Sequence, residues 1–323
     1  MLFVDHPEEF HRILPGFLPR TLRPAEPGAR DPGGDSFAMA LRDVLLGAGK
    51  CPTLMTGDRP EGDPGDFWTF CYLVREASVS QYDALRQVIA TNQDLPGHVL
   101  CLALSGVGFH GQQGRQWAAE TGNLHLSVGL RCDLDAAECG LALTMLPAVA
   151  VMDALSGLTD SGPRPDGLGI KWVNDILVGD RKIGGVLTSA RSQDGRIRSA
   201  VLGIGLNVAV APAVPSTPFT PGVTCLEDCM SLPQDGLTEV LRLVLSALVR
   251  RFEELVQQGP DPLLKAYRAD SVVLGRQVEI RPGGHFSGPH RKGRVLAIGS
   301  DLALTLTDDP EPVTSGRLVL LPE

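Results

Sequence analysis

The chain has 323 residues, 43% of them hydrophobic and 5% aromatic, enough for a large core and for more than one unit, since domains usually run ~100–200 residues. Its 29 Lys and Arg against 38 Asp and Glu give a formal charge of −9; this argues against a general nucleic-acid binder, because neutralising phosphates needs clustered positive charge, and leaves room only for a local basic site. No run approaches the ~20 apolar residues of a membrane helix, and "MLFVDHPEEFHRIL" carries acids where a signal peptide carries bases, so the expected location is cytoplasmic.

Residues 15–35, "PGFLPRTLRPAEPGARDPGGD", are too rich in Pro and Gly for a regular element and read as an arm or linker. A short helix follows at "SFAMALRDVLLGAG", with Asp35 and Ser36 as its capping region and Gly47 near its end. A second Gly/Pro/Asp cluster at 56–66 closes this part, so residues 1–62 read as an extension with no assigned role.

From Phe67 strand-like runs alternate with helices: "FWTFCYLV", "SQYDALRQVIA", "HVLCLALS", "NLHLSVGL", then "ECGLALTMLPAVAVMDAL", where Pro147 predicts a kink or a break. Next come three β-rich segments, "GIKWVNDILVGD", "RKIGGVLTSAR" and "SAVLGIGLNVAV", joined by turns at Gly179-Asp180 and Asp194-Gly195. The first two should pair as a hairpin. Residues 233–259 repeat apolar side chains at helical spacing, with Leu241, Leu245, Leu248, Phe252 and Leu255 on one face and Gly259 as a stop. The remaining short strands, "RQVEIR", "KGRVLAIG", "LALTLTD" and "GRLVLL", suggest a small closed β-barrel. The expected class is α+β: a domain with a mixed sheet and helices at 63–265, then a small C-terminal β-barrel domain at 266–323.

The seven cysteines contain no CxxC, and the close pair Cys225 and Cys229 lacks a nearby His or Cys to complete a zinc site, so they read as reduced, mostly structural thiols. His98, His125, His285 and His290 have no metal-ligand spacing and read as surface or hydrogen-bonded residues. "RPGGHFSGPHRKGR" brings Arg281, Arg291, Lys292 and Arg294 close to the barrel, as a contact for phosphate or an acidic carrier, or as a solvated loop. A DNA-binding regulator would need a helix-turn-helix, which residues 1–60 do not offer.

The chemistry concentrates in "GIKWVNDILVGDRKIGGVL", 169–187. In a strand the side-chain period is two, so Lys171, Val173 and Asp175 share one face and Trp172, Asn174 and Ile176 the other, until a bulge changes the register. Buried Lys or Asp without a partner costs several kcal/mol, so such groups pair with each other or with a ligand. Gly184 and Gly185, just after Lys182, clear space where a backbone or a ligand comes close. One reading is a flat, anionic ligand lying on the sheet; the other is an edge hairpin whose charges face solvent, with the glycines marking a bulge.

This stretch resembles the "KWPND…RKLAGIL" signature of biotin protein ligases. "VLGIGLNV" (201–208) is similar to their "IGIGINV", and "TCLEDC" (224–229) to their "TSLEE"; the resemblance spans roughly residues 67–323. It implies that Lys182 is the catalytic residue, reaching the ligand carboxylate and the α-phosphate. Lys171, Asn174, Asp175 and Asn207 would face ATP, with Asp175 also toward Mg²⁺, and Gly184 and Gly185 would lie against the ligand ring. The family's loop "QTAGRGRRGRxW" has its counterpart in "GVGFHGQQGRQW" (106–117), where Gly111, Gly114, Arg115 and Trp117 match. His110, Gln112 and Gln113 stand at arginine positions, Phe109 at a glycine and Gly106 at the leading glutamine. Neutral Gln supplies no charge to phosphate, so His110 and Arg115 are the expected phosphate contacts, and Gly106, Gly111, Gln112 and Trp117 the ligand contacts. A Trp next to a loop is more often packing, which is the other reading of Trp117. The family's "DSTN" turn aligns loosely with "ASVS" (77–80), which nominates Ser78.

The implied activity is ATP-dependent activation of biotin, or a related acyl acid, as an acyl-AMP and its transfer to a lysine of a carboxyl-carrier protein. A non-catalytic ligand- or nucleotide-binding member of the same fold is the alternative. The implied partners are that small acid and the carrier, with a homodimer open, and neither nucleic acid nor membrane.

Overall fold

A computed structural model describes residues 2–18, 23–24, 36–46, 54–56, 67–91, 95–158, 164–282 and 290–322. The expected linker cluster at 57–66, most of the Pro/Gly arm, Gly47 and His285 lie outside the described residues. The main sheet is built from β1 (Leu2–Val4), β2 (Arg23–Pro24), β3 (Leu54–Thr56), β4 (Phe70–Ala77), β5 (Val99–Gly106), β6 (Leu124–Asp135), β7 (Leu168–Lys171), β8 (Asp175–Val178), β9 (Arg181–Gln193), β10 (Arg196–Leu206) and β11 (Gly222–Val223). Its order is β2-β3-β1-β4-β5-β6-β10-β9-β8-β7, with β11 beside β9, and it mixes parallel (β1·β4, β4·β5) and antiparallel pairs.

Central strands are covered on both faces, so they read as near-continuous apolar runs. Along β5, Leu100, Leu102 and Leu104 join one core with helices α5 (Ala142–Ser156), α6 (Gly236–Gln258) and α7 (Asp261–Ala269), while the alternate Val99 and Cys101 face the opposite core with α2 (Ser36–Leu46) and α3 (Gln81–Thr91). No helix among the described residues is long and apolar enough to cross a membrane.

Two features of the first 62 residues differ from the sequence reading. Pro7–Ile13 forms a further helix, α1, with Pro7 in its first turn. Instead of standing apart, β1 pairs in parallel with β4, Phe3 stacks on Tyr72 with ring centroids 4.6 Å apart, and the Tyr72 hydroxyl donates to the Ala38 carbonyl at 3.0 Å. The apolar "LFV" thus extends the sheet toward β3 and β2, and the helix at 36–46 packs on the face of that extension.

Pro147 does not break α5; the break falls earlier, between α4 (Ala136–Cys139) and Ala142. A proline lacks the N–H that would bond the carbonyl four residues back. Here that carbonyl, of Leu143, accepts from the Thr188 hydroxyl on β9 at 3.1 Å, so the helix continues and its orphan acceptor ties it to the sheet. In α6 the five expected core residues are all buried, and Gly259 ends the helix at φ 78°, a backbone region open to glycine.

The C-terminal segment forms a five-stranded antiparallel sheet, β12 (Gln277–Arg281), β13 (Arg291–Ile298), β14 (Leu304–Leu306), β15 (Asp309–Val313) and β16 (Arg317–Leu320), in the order β15-β14-β13-β12-β16. Its two end strands are not paired with each other among the described residues. It packs on the turn after β7: the buried Trp172 donates its indole N–H to the Leu302 carbonyl at 2.7 Å, and α7's Arg268 donates to that of Ile298. Truncating a Trp buried this way costs about 3–5 kcal/mol.

Candidate functional site

"GIKWVNDILVGD" folds as two strands, not one. β7 ends at Lys171, Trp172 to Asn174 make the turn, and β8 starts at Asp175 opposite Lys171. Between β8 and β9 the register shifts, with Ile176 opposite Gly184 but Leu177 opposite Lys182, which makes Ile183 the extra residue. Three residues apart, Lys182 and Gly185 would face opposite sides of a regular strand; the bulge brings them to one side. The Lys182 ammonium lies 3.2 Å from where a Cβ on Gly185 would stand, and it donates to Asp175 Oδ1 at 2.5 Å.

This pair lies on the floor of a cleft of about 230 Å³ formed by β8, β9 and β10. The loop 109–117, the start of α3 and the segment 212–220 are its walls. A smaller recess, about 110 Å³, continues toward the C-terminal sheet between Lys171, Phe219 and Arg317. Lys171 is 4% exposed and donates to the Phe219 carbonyl at 2.5 Å, and the Arg317 guanidinium lies 3.5 Å from the Phe219 ring centroid.

Burial pushes the Lys171 ammonium down to about 8; Asp175 works the other way, while Lys182, Arg317 and Arg115 add to the fall. Arg317 is likewise lowered, by burial and by Arg115. At Asp175 burial favours the neutral acid, but Lys182, Lys171 and Arg115 outweigh it and hold the carboxyl below its usual value. Four cations therefore surround one carboxylate in a protein of net charge −9. Like charges crowd this way where an anion is to be neutralised.

Two asparagines serve the floor differently. Asn174 donates to the Val186 carbonyl at 2.6 Å and its own carbonyl accepts from Val186 N at 2.9 Å, a brace between the turn and β9. Asn207, 1% exposed, donates to the Thr224 carbonyl at 3.0 Å, but its Oδ1 has no partner among the described residues. An orphan buried acceptor at a cleft wall is a ready contact for a ligand N–H.

The loop is a small hairpin, with His110 bridged to Gln116 and Trp117 N donating to the Phe109 carbonyl at 2.9 Å. Gln113 and Gly114 take φ 59° and 70° at its tip. Trp117 lies on β10: a Cβ on Gly205 would come 2.6 Å from its ring, and its centroid is 5.8 Å from the Lys182 ammonium. Its indole N–H donates to His125 Nδ1 at 3.4 Å, while His125 Nε2 meets the Glu120 carbonyl at 3.0 Å, which places the proton on Nε2. Burial pushes His125 down to about 4, so it stays neutral.

Of the residues nominated from the sequence, Asn174, Asp175, Lys182, Gly185, Asn207, His110, Gly111, Gln112, Arg115 and Trp117 line the cleft, and Lys171 the recess. Three do not. Ser78 is exposed in the turn after β4; Ser80, which receives the Asp83 N–H at the start of α3, lines the cleft in its place. The space over Gly106 is filled by Phe109, whose ring edge lies 2.5 Å from where a Cβ would be. Gly184 is tucked against the Gly205 carbonyl, a requirement of strand packing.

The sequence reading missed Arg317, which no local motif marks, and Gly205, which could have been found because Gly203 and Gly205 share a strand face. Arg281, Arg291, Lys292 and Arg294 are held within the C-terminal sheet, Arg281 and Lys292 by Glu279, Arg291 by Asp309 and Arg294 by the Gly275 carbonyl. His98 accepts from Arg131 N and stacks on Phe67, a packing role. The described residues contain no cluster of three or more metal-ligating side chains; Asp175 is a single carboxylate.

A cleft floored by glycines and edged by cations, on a mixed sheet, has the shape and charge to take a flat ligand bearing negative charge. The model of the biotin/lipoate A/B protein ligase family matches residues 90–207. Over 251 residues, 76% of this chain and 81% of the relative, the sequence is 31% identical to the biotin–[acetyl-CoA-carboxylase] ligase of Mycobacterium tuberculosis. It is 28% identical over 199 residues to the bifunctional ligase/repressor BirA of Bacillus subtilis, which covers 61% of this chain and 59% of that relative. The fold matches the biotin protein ligase from Aquifex aeolicus in complex with biotin and ATP with a TM-score of 0.58, at 18% identity, over 79% of this chain and 100% of that one. The chain belongs to the biotin/lipoate A/B protein ligase family and resembles its biotin protein ligases over about three quarters of its length.

Proposed function

We propose that the protein activates the carboxylate of biotin with ATP, as biotinyl-AMP, and transfers the acyl group to a lysine of a carrier protein. The carrying observation is the Lys182–Asp175 pair on the cleft floor, with Lys171, Arg115 and Arg317 around it. The names of the relatives, as ligases acting on acetyl-CoA carboxylase, support the substrate and the acceptor.

In the first step a carboxylate oxygen bonds to the α-phosphorus and the bond to the β-phosphate oxygen breaks, releasing pyrophosphate. Two anions must approach, so fixed cations that are already desolvated lower the barrier. Lys182, reaching over Gly185, would bridge the acid and the α-phosphate, and Trp117 would close the other side of the cleft. In the second step an amine attacks the acyl carbon, an amide forms and AMP leaves. Mg²⁺ commonly binds through one or two carboxylates plus substrate phosphates; Asp175 is the residue to hold an ion arriving with ATP, where it would supply further charge neutralisation.

The non-catalytic alternative rests on the neutral Gln112 and Gln113 of the loop. Lys171 and Arg317, from the hairpin and the C-terminal sheet, bring positive charge to the same cleft by another route, which favours the catalytic reading. The test is incubation with ATP and biotin, lipoate or octanoate, following acyl-AMP and pyrophosphate. Biotinyl-AMP that is lost in Lys182→Ala is expected; if no acid yields pyrophosphate above background while ligand still raises the melting temperature, the non-catalytic reading stands.

A further inference from the structure

The backbone bonds named above for residues 109–117 give the loop its own shape but do not fix it to the cleft. Gly111 N donates to the Arg115 carbonyl at 2.6 Å, and Arg115 Nε to that of Gln112 at 3.0 Å. Three side chains reach outward to the protein body. Phe109 packs over Gly106, Trp117 rests on Gly205 and donates to His125, and His110 reaches α3, where its Nε2 lies 2.6 Å from Asp83 Oδ2. The other ring nitrogen, Nδ1, lies 2.9 Å from the Gly111 carbonyl.

Both partners of this imidazole are acceptors. A neutral ring has one N–H and one lone pair, so it can satisfy either contact but turns a lone pair on the other oxygen; only the doubly protonated ring donates to both. We propose that Asp83 and His110 form a clasp that positions the glycine-rich loop over the cleft, and that the clasp is closed only while His110 is a cation. Asp83 is then a positioning residue, acting through the loop without touching the ligand. The ligand it serves rests on the ligase reading; the clasp itself does not.

The groups facing His110 are few. From α3 come Asp83, Arg86, which pairs with Asp83 Oδ1 at 3.5 Å and opposes the imidazolium, and the edge-on Tyr82 ring at 6.4 Å; from the loop itself comes the Gly111 carbonyl. The Gly111 bond raises the affinity of His110 for its proton most, burial opposes it, and Asp83 adds to the rise. A group raised above its ordinary 6.5 gives its full contribution below that pH and loses it as pH rises through the folded value. The loop should therefore be held below pH 6.5 and released as pH rises through the raised value of the folded state.

The test uses the full chain without ligand. NMR titration of the His110 ring should place its midpoint above that of a free histidine, Asp83→Asn should move it down, and Asp83→Glu should restore part of the shift. Hydrogen exchange of residues 107–116, corrected for its intrinsic pH dependence, should rise between pH 6 and pH 9 in the wild type and be fast at both in Asp83→Asn. A third arm follows the KM for the acid: it should climb severalfold over that range in the wild type and less in His110→Arg, which keeps its charge. An unshifted midpoint in Asp83→Asn, or loop exchange insensitive to both pH and the substitution, overturns the clasp. If no adenylate forms at any pH, the ligase reading falls, and the titration and exchange arms still decide the clasp.

Discussion

The hairpin of β7 to β9 and the loop 106–117 face each other across one cleft but are held by opposite means. In the hairpin every polar side chain of interest is tied: Lys171 to the Phe219 carbonyl, Asn174 to Val186, Lys182 to Asp175, with the Tyr267 hydroxyl on the Val173 carbonyl at 2.9 Å behind them. In the loop, Gln113, Gly114, Arg115 and Gln116 are exposed. The difference shows where precision is needed. The floor's charges are set in a packed sheet, where bonded neighbours fix their direction, while the loop that walls the cleft presents exposed residues at its tip.

The sharpest way to break this division is Lys182→Ala. If the floor carries the chemistry, acyl-AMP formation should fall by roughly 10²–10³-fold, the range for losing one preorganised group that stabilises developing charge. Single-turnover release of pyrophosphate measures it. A loss confined to KM would move Lys182 from the reaction to simple binding.

Gly205→Ala attacks the seam between the two regions. The new methyl would meet the Trp117 ring at 2.6 Å, and the neighbour that must give is a loop side chain, so the substitution should lift the loop and spare the sheet. Misplacement on this scale can cost about 10²-fold in rate. Circular dichroism should be unchanged while adenylation drops. Gly203→Ala, whose methyl would stand 3.2 Å from Tyr82, is the milder comparison. Equal effects would show that Trp117 is not seated on the floor.

The floor also predicts a pH effect of its own. Lys171 is charged below about pH 8 and neutral above it, because burial lowers it from 10.5. ATP should therefore bind more weakly as pH rises through 8, by about tenfold, which is what losing one charge-assisted hydrogen bond is worth. Lys171→Arg, which stays charged, should flatten the profile of Kd against pH measured by calorimetry. A wild-type profile without a step would mean that Phe219 alone, not phosphate, uses this ammonium.

The same contrast governs what could be read from the sequence. The hairpin was legible because its constraints are local: spacing, a glycine pair and the cost of buried charge act within twenty residues, and Asp175, Lys182 and Gly185 line the cleft with Lys171 in the adjoining recess. The split of "GIKWVNDILVGD" into two strands was not, since the turn is held from outside by Trp172 on Leu302 and Tyr267 on Val173. Arg317 was invisible because it reaches the recess only through the packing of the C-terminal sheet. Ser80 was not legible because the strand end, at Ala77, decides which side chain of "ASVS" turns inward. The first strand was not legible for a similar reason: "LFV" is too short to announce itself, and what makes it a strand is β4 and the stacking of Phe3 on Tyr72.

The smallest effect tests whether the loop's missing charge matters once the floor is in place. Gln112 lines both the cleft and the recess, so Gln112→Arg puts a guanidinium where phosphate is expected. The gain is limited on two sides. The new side chain is long and only partly buried, a setting where an ion pair is worth ~0.2–1 kcal/mol, and Arg115, Arg317 and Lys171 already crowd the anion site and would repel it. KM for ATP should therefore fall by no more than about fivefold at low salt, and the gain should shrink as salt screens it. A much larger gain would mean that the floor leaves the phosphates under-neutralised, and closure by the loop would then have to be counted as part of the chemistry itself.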